Sequence, residues 1–185
     1  MRKNLGAKAI LYPMPVLIIG TYSEDGTPDA MNAAWGGISE ETQISVCVSD
    51  DHKTAKNVVS KGAFTVSIAD AENLLAADYV GIVSGNNEPD KIRKAGWTAV
   101  KSGNVDAPVF EELPLVLECR LVSYDENSCR LVGEIVNVCA DERILTDGKV
   151  DLSKFRPITY DPVNHDYIAL GEKVGKAFSD GLKLK

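Results

Sequence analysis

The sequence has no hydrophobic run long enough to cross a membrane as a helix. Such a helix needs about 18 or more consecutive apolar residues, and the most apolar segment near the start, residues 9–20, is interrupted by Pro13 and Pro15. Arg2 and Lys3 precede this segment as in a signal peptide, but no cleavage motif of small residues follows it. We therefore expect neither a membrane segment nor a secretion signal.

Several short motifs that carry familiar chemistry are also missing. The sequence contains neither of the glycine-rich fingerprints that cradle nucleotide phosphates, G-x-x-x-x-G-K-[ST] and G-x-G-x-x-G, and it has no G-x-S-x-G nucleophile elbow. Its two histidines, His52 and His165, are isolated, with no zinc-ligand spacing around them. These absences argue against a P-loop or Rossmann protein, a serine hydrolase and a metal site.

Cysteine is scarce and is not arranged for metal binding or for a redox dithiol. No two cysteines have C-x-x-C spacing, and each lies in an apolar or alternating segment, where a free cysteine behaves as a small hydrophobic residue. We expect four buried, reduced thiols, which are typical of a cytoplasmic protein. The four residues are Cys47, Cys119, Cys129 and Cys139.

Basic charge is in deficit, because 20 Lys and Arg residues stand against 27 Asp and Glu residues, a formal net charge of −7. Sequence-independent binding of nucleic acid needs a basic surface that releases counterions from phosphates, and docking on an anionic membrane needs one too. Neither nucleic acid nor a membrane is therefore an expected partner, although one local basic pocket is compatible with this charge. The length and ordinary composition predict a single domain over residues 1–185.

The sequence does contain a series of short segments with β-strand character. An apolar run ends before the hairpin signal Asp25-Gly26, and a later segment alternates strictly between apolar and small polar side chains. The period then changes to that of a helix, which begins near Thr54 and ends at Gly62. The strands predicted in this part cover residues 15–22, 29–38, 43–49 and 63–69.

The second half combines helices with two longer strands. Residues 71–95 indicate one or two helices broken at residues 85–87, whereas residues 96–113 show little periodicity and are expected to form a loop. A short final helix is expected around residues 174–178. The two strands cover residues 114–124 and 129–140, with Leu115, Leu117, Cys119 and Leu121 on one face of the first and Glu118 and Arg120 on the other.

These elements predict a mainly β protein with inserted helices. Strands at hairpin spacing favour an antiparallel sheet, which closes into a small barrel and so removes its exposed edges. A parallel βαβ arrangement is less favoured, because the links between the two clearest strand pairs are too short for a crossover.

The most informative candidate site is the segment Ser49-Asp50-Asp51-His52-Lys53-Thr54. A strand ends and a helix begins here, so unpaired backbone N–H groups lie at the positive end of a helix dipole, with Lys53 and Thr54 adding donors. This arrangement can bind a phosphate without a glycine-rich loop. The alternative is an ordinary helix capped by Asp50 or Asp51, with Lys53 in solvent.

A second candidate is the segment Asn32-Ala33-Ala34-Trp35-Gly36-Gly37. Small residues beside one tryptophan can hold a flat ring and present backbone amides to its polar edge, but a tryptophan packed in the core against glycines is the simpler alternative. Lys91, after Asp90 near a helix start, is either one more phosphate cation or part of a solvated face.

Several short segments occur in an order that is more informative than any one of them. They are Tyr12-Pro13-Met14-Pro15, Asp25-Gly26, Asn32-Ala33-Ala34-Trp35, His52-Lys53-Thr54-Ala55-Lys56-Asn57, Phe64-Thr65-Val66-Ser67-Ile68, Asp90-Lys91, Leu117-Glu118-Cys119, Gly133-Glu134-Ile135 and Tyr167-x-x-Leu170-Gly171. In this order they resemble the flavin reductase-like family, specifically its flavoredoxin subgroup, over residues 11–181. The resemblance implies an FMN-binding split β-barrel that works as a homodimer.

The resemblance also implies roles for individual residues. It assigns no catalytic side chain, because the flavin carries the chemistry and the protein supplies position and electrostatics. It places Asn32, Ala33, Ala34 and Trp35 along the isoalloxazine ring, Ser49, His52, Lys53 and Thr54 around the ribityl phosphate, Lys91 as a further cofactor contact and Tyr160 near the flavin.

Three functions are compatible with this sequence. The first is an FMN-dependent oxidoreductase that takes hydride from NADH or NADPH and reduces free flavin, a protein or a small oxidant. The second is an electron-transfer protein that a protein redox partner reduces in place of a nicotinamide. The third is a barrel that binds a different anionic cofactor such as haem, which the lack of a placed axial ligand disfavours.

Overall fold

A computed structural model describes all 185 residues, from Met1 to Lys185. The strands are β1 (Met14–Pro15), β2 (Leu17–Tyr22), β3 (Pro28–Ala33), β4 (Gly36–Glu40), β5 (Gln43–Cys47), β6 (Ala63–Ile68), β7 (Ala99–Lys101), β8 (Pro108–Phe110), β9 (Leu115–Asp125), β10 (Arg130–Ala140), β11 (Leu145–Thr146), β12 (Lys149–Val150), β13 (Ile158–Asp161) and β14 (Asp166–Ala169). The helices are α1 (Lys53–Lys61), α2 (Leu74–Ile82) and α3 (Lys91–Lys94). None of them is both long and apolar enough to cross a bilayer.

The main sheet has seven antiparallel strands in the order β3-β2-β6-β9-β10-β5-β4. Its two edge strands, β3 and β4, are consecutive in the chain and are joined only by Ala34 and Trp35, so the sheet curls until its edges meet at this link. The single strand predicted over residues 29–38 is therefore divided, because the chain must bend there to pair with β2 on one side and β5 on the other. The predicted antiparallel, mainly β fold is confirmed.

Hydrophobic residues on the two faces of this sheet form separate cores. Strand β2 alternates between them, since Leu17 and Ile19 belong to one cluster while Ile18 belongs to the other. Helix α1 packs on the first cluster and α2 on the second. Burial on both faces explains why β2 is a continuous apolar run and not an alternating one. The same burial fixes β3, the neighbour of β2, between the two helices.

The middle and the end of the chain differ from the sequence prediction. Residues 96–113 include the hairpin β7–β8, whose Pro108 carbonyl accepts a hydrogen bond of 2.6 Å from the Thr65 hydroxyl of the main sheet. Trp97 and Phe110 pack beside it, with ring centroids 5.2 Å apart. The predicted helix at residues 174–178 is wrong: this part of the tail is exposed and irregular, residues 177–179 form a turn, and a short 3₁₀ helix follows at Asp180–Leu184.

The expectation of four buried cysteines is also wrong. All four thiols are free, but only Cys119 is buried, while Cys129 is half-buried and Cys47 and Cys139 are exposed. Cys47 is the last residue of β5 and Cys139 the penultimate residue of β10, and the sheet has no covering layer at these positions. Alternation in the sequence indicated the strands correctly but could not show which strand ends lie under a helix.

Glu118 in β9 is a charged residue inside the protein, only 2% exposed. Its carboxylate accepts hydrogen bonds from Ser102, from Asn104 (2.7 Å) and from Asn137 (2.6 Å). Burial raises the pKa of this carboxyl, but the hydrogen bonds from Ser102, Asn137 and Asn104 outweigh that effect and hold the pKa below its usual value. The buried charge therefore ties the loop between β7 and β8 to the main sheet.

Candidate cofactor site

The first turn of α1 is an uncapped helix N-terminus. The residue before it, His52, has extended backbone angles (φ −69°, ψ 137°) and makes no side-chain capping bond, and the first turn holds no acidic residue. The alternative in which Asp50 or Asp51 caps the helix is therefore wrong, and the N–H groups of the first turn keep their capacity to bind an anion. Ser49 lies half-buried just before, with its carbonyl oxygen accepting a hydrogen bond of 3.2 Å from the His52 N–H.

A polar cleft of about 160 Å³ opens beside this helix terminus. It lies between β3, the start of α1, the end of α2 and α3, so four elements that are distant in sequence contribute to it. The fold thus brings four of the predicted site residues together around one cavity. Its lining comprises Asp29, Met31, His52, Lys53, Thr54, residues 80–85 and Lys91.

A buried ion pair forms the floor of the cleft. Lys91 is 3% exposed and its ammonium lies 3.0 Å from Oδ1 of Asp29, which is 2% exposed. The other carboxylate oxygen of Asp29 accepts a hydrogen bond of 3.2 Å from the Thr54 hydroxyl, and Lys91 also donates to the Val83 carbonyl oxygen at 3.1 Å. The alternative in which Lys91 is part of a solvated face is therefore wrong.

Lys53 supplies a second cation on the rim. Its ammonium donates to the Gly85 carbonyl oxygen at 3.2 Å and, having three N–H groups, keeps donors for a ligand. Two lysine charges against the one Asp29 carboxylate leave the lining with a net positive charge. A Cβ on Gly85 would clash with the Asp29 carboxylate, so glycine is required where this loop closes on the ion pair.

Asn32 lies beside this cleft, on the edge strand β3, and packs against Gly81 of the cleft lining. Its Nδ2 donates to the Ala77 carbonyl oxygen of α2 at 3.2 Å and to the Tyr167 hydroxyl at 3.4 Å. Gly81, which lines the cleft, packs so closely that a Cβ added to it would stand 2.8 Å from the Cβ of Asn32. As an edge strand, β3 also presents backbone N–H and C=O groups without a strand partner.

Substituting Gly81 with alanine is expected to destabilise the protein although alanine is the better helix former. The 2.8 Å approach to Asn32 involves a Cβ, which cannot move without its backbone, and overpacking costs about 1–3 kcal/mol against a helix-propensity gain of about 1 kcal/mol. Thermal unfolding would measure the change. Gly103→Ala, which meets no atom within 4 Å, is the control; a Gly81→Ala protein that is more stable than wild type contradicts the packing described.

Trp35 is 60% exposed, so the alternative of a core tryptophan is wrong. With Ala34 it lines an apolar groove of about 360 Å³ whose other wall is formed by residues 8–11 and 13–15 of the N-terminal segment. Ala33 points the opposite way and is buried in the core. The predicted ring segment thus divides into one structural residue and two that face the groove.

Tyr160 lies outside the polar cleft. Its hydroxyl is 2.6 Å from Nδ1 of His165, and its ring centroid is 6.1 Å from that of Tyr167. Tyr167 in turn reaches Asn32, so Tyr160 is connected to the site through one intervening side chain. The resemblance placed Tyr160, a tyrosine of the tail, near the flavin. In the structure it is Tyr167 that contacts a predicted site residue, Asn32.

The comparisons with known proteins agree with this geometry. Residues 9–160 match the flavin reductase like domain. The structure of flavoredoxin from Desulfovibrio vulgaris (Miyazaki F) is 40% identical, with a TM-score of 0.93 over 98% of this chain and 100% of that chain. Flavoredoxin from Methanosarcina acetivorans is 26% identical, with a TM-score of 0.87 over 100% of this chain and 98% of that chain. The predicted split barrel is confirmed by similarity of fold to a structure with a split barrel domain from Shewanella frigidimarina, which is 19% identical, with a TM-score of 0.75 over 88% of this chain and 84% of that chain.

A curated relative from Aeropyrum pernix, an uncharacterized protein, is 28% identical over 165 residues. The match covers 85% of this chain but 62% of that protein, so the chain spans less than two thirds of this relative.

Proposed function

Because the chain belongs to the flavin reductase-like family, we propose that it is an oxidoreductase whose cofactor is FMN. The observation that carries this proposal is the positively charged cleft at the uncapped start of α1, where Lys53, Thr54 and Lys91 converge. A phosphate dianion requires N–H donors and cations, which this cleft supplies and which a flavin without phosphate would not use.

The residues of the site divide between the two ends of the cofactor. His52, Lys53 and Thr54 hold the phosphate, and Lys91 contributes charge from the floor of the cleft while it remains paired with Asp29. Asn32, Ala34 and Trp35 and the free edge of β3 bind the isoalloxazine ring, since they combine an exposed aromatic face with polar groups. Bound FMN supplies the capacity to accept a hydride and to release electrons.

We propose that NADH or NADPH donates the hydride and that no side chain of this protein transfers a proton in this step. The test is anaerobic addition of each nicotinamide to the purified holoprotein, followed by absorbance near the flavin bands. Loss of these bands with either nicotinamide supports the assignment. Retention of the bands with both, in a protein that dithionite still reduces, overturns the nicotinamide step and leaves FMN binding intact.

A second candidate is an electron-transfer protein that another protein reduces. The 40% identity to a flavoredoxin over 98% of the chain favours it. Flavin reduction only after addition of a partner reductase, with no oxidation of NADH or NADPH by the isolated protein, would select this function over the first.

We further propose that the protein works as a homodimer. Large hydrophobic side chains that a monomer leaves in water lie together around the apolar groove, including Ile10 (39% exposed), Leu11 (68% exposed) and Trp35. A two-fold partner over this region would bury more than about 2,000 Å² in total, as obligate interfaces do. We expect analytical ultracentrifugation at micromolar concentration to give twice the chain mass of 19.9 kDa; a flavin-loaded monomer contradicts the proposal.

A further inference from the structure

The side-chain amide of Asn32 is held in one orientation. Both of its Nδ2 hydrogen bonds end on oxygen atoms, the Ala77 carbonyl at 3.2 Å and the Tyr167 hydroxyl at 3.4 Å. A carbonyl oxygen is an acceptor only. Rotating the amide by 180° would therefore place the Asn32 Oδ1 against the Ala77 carbonyl oxygen, with no proton between them, so the orientation is determined by the chain itself.

Tyr167 is fixed in turn by Asp78. Its hydroxyl donates to Asp78 Oδ1 at 2.8 Å, which uses its only proton and leaves its lone pairs for the Asn32 amide. Burial, with the bond to Asp78 adding to it, raises the pKa of Tyr167 to about 12, so the hydroxyl is neutral under physiological conditions. The Asn32 amide thus donates a hydrogen bond to the Tyr167 hydroxyl, which in turn donates one to the Asp78 carboxylate.

The other end of the Asn32 amide is left for a ligand. Its Oδ1 accepts no hydrogen bond from the chain, and it is not among the fully buried polar atoms without a hydrogen-bond partner. It therefore reaches solvent on the edge strand β3, beside Gly81 of the cleft lining. A fixed, accessible acceptor selects a ligand that carries an N–H or O–H group at this place.

We propose that Asp78 and Tyr167 are positioning residues that fix Asn32 as the hydrogen-bond acceptor for N3–H of the flavin ring. The inference rests on the proposed flavin binding and adds the chemical group that is recognised. An oxidised isoalloxazine ring carries one N–H, at N3, between two carbonyl groups. An acceptor directed at the ring therefore has one donor to meet, and the donors of the β3 edge can serve the flanking carbonyl groups.

The test compares FMN with 3-methyl-FMN, which lacks the N3–H but keeps the phosphate. Wild-type protein should bind FMN about 3- to 10-fold more tightly than 3-methyl-FMN, the range for one neutral hydrogen bond. Asn32→Ala should lose this preference, and Tyr167→Phe and Asp78→Ala should reduce it. Asp78→Asn, which still offers an acceptor to Tyr167, should retain most of it.

Tyr12→Phe is the matched control, because it also removes a tyrosine–aspartate hydrogen bond, that of Tyr12 with Asp161, which does not touch Asn32. It should leave the preference for FMN over 3-methyl-FMN unchanged. Circular dichroism establishes that each variant is folded. Because Asp78 is half-exposed, its variants can test the positioning role even if Tyr167→Phe does not fold.

The outcomes separate this inference from the proposed function. Full preference in both Tyr167→Phe and Asp78→Ala overturns the positioning role, because discrimination by simple steric exclusion of the methyl group does not need either residue. Equal binding of the two flavins by wild type overturns the N3–H contact while FMN binding stands. Failure of folded wild type to bind either flavin overturns the proposed function itself.

Discussion

Replacing Lys91 by methionine is expected to lower the free energy of unfolding by about 3–5 kcal/mol, the range for removal of one partner of a buried ion pair. Asp29 would then be a buried carboxylate whose remaining contact is the Thr54 hydroxyl at 3.2 Å. Urea unfolding of wild type and variant at one pH measures the change.

Two further variants make this prediction specific to the buried pair. Lys94→Met removes a lysine of the same short helix whose ion pair with Glu88 is partly exposed, and it should change stability by less than about 1 kcal/mol. Adding Asp29→Asn to Lys91→Met removes the stranded charge and should recover part of the loss. A Lys91→Met protein as stable as Lys94→Met would show that the pair contributes nothing to the fold.

The strands and the first helix could be predicted because their signals are local. Residues 43–49 alternate, and the observed strand is Gln43–Cys47; Gly62, where the helix was expected to end, has a left-handed φ of 66° and bonds to Val58. The hairpin β7–β8 could not be predicted in this way. It is held by Thr65 and by packing of Trp97 on Phe110, which are contacts with other parts of the chain.

The candidate site likewise contains residues that a local sequence signal identified and residues that only contacts between distant parts of the chain bring together. A strand-to-helix junction identified His52, Lys53 and Thr54, since the chemistry of a helix N-terminus is visible in a few consecutive residues. Asp29, which joins Thr54 to Lys91, was missed because its partners lie 25 and 62 residues away. One signal was present: a charged residue in a segment otherwise built of small and apolar strand residues is costly to bury without a partner.

Removing the Lys53 ammonium is expected to weaken FMN binding by about 1.5–3 kcal/mol, the range for hydrogen bonds to charged groups, or roughly 10- to 150-fold. Lys53 sits at the mouth of the cleft, bonded only to the Gly85 carbonyl oxygen, so its loss leaves the buried Asp29 pair intact. Fluorescence titration of the apoprotein with FMN and with riboflavin measures the effect. Riboflavin, which lacks the phosphate, should bind wild type and Lys53→Ala about equally.

Lys56→Ala and Trp35→Ala locate the effect along the cofactor. Lys56 is exposed one turn further along α1, and removal of its charge should change FMN affinity by no more than a screened surface charge does. Trp35→Ala should weaken FMN and riboflavin alike and alter the flavin spectrum, because Trp35 faces the groove and not the charged cleft. Since Trp35 is 60% exposed, its removal should not unfold the protein. Equal losses of FMN and riboflavin in Lys53→Ala would mean that the cleft at the start of α1 does not hold the phosphate.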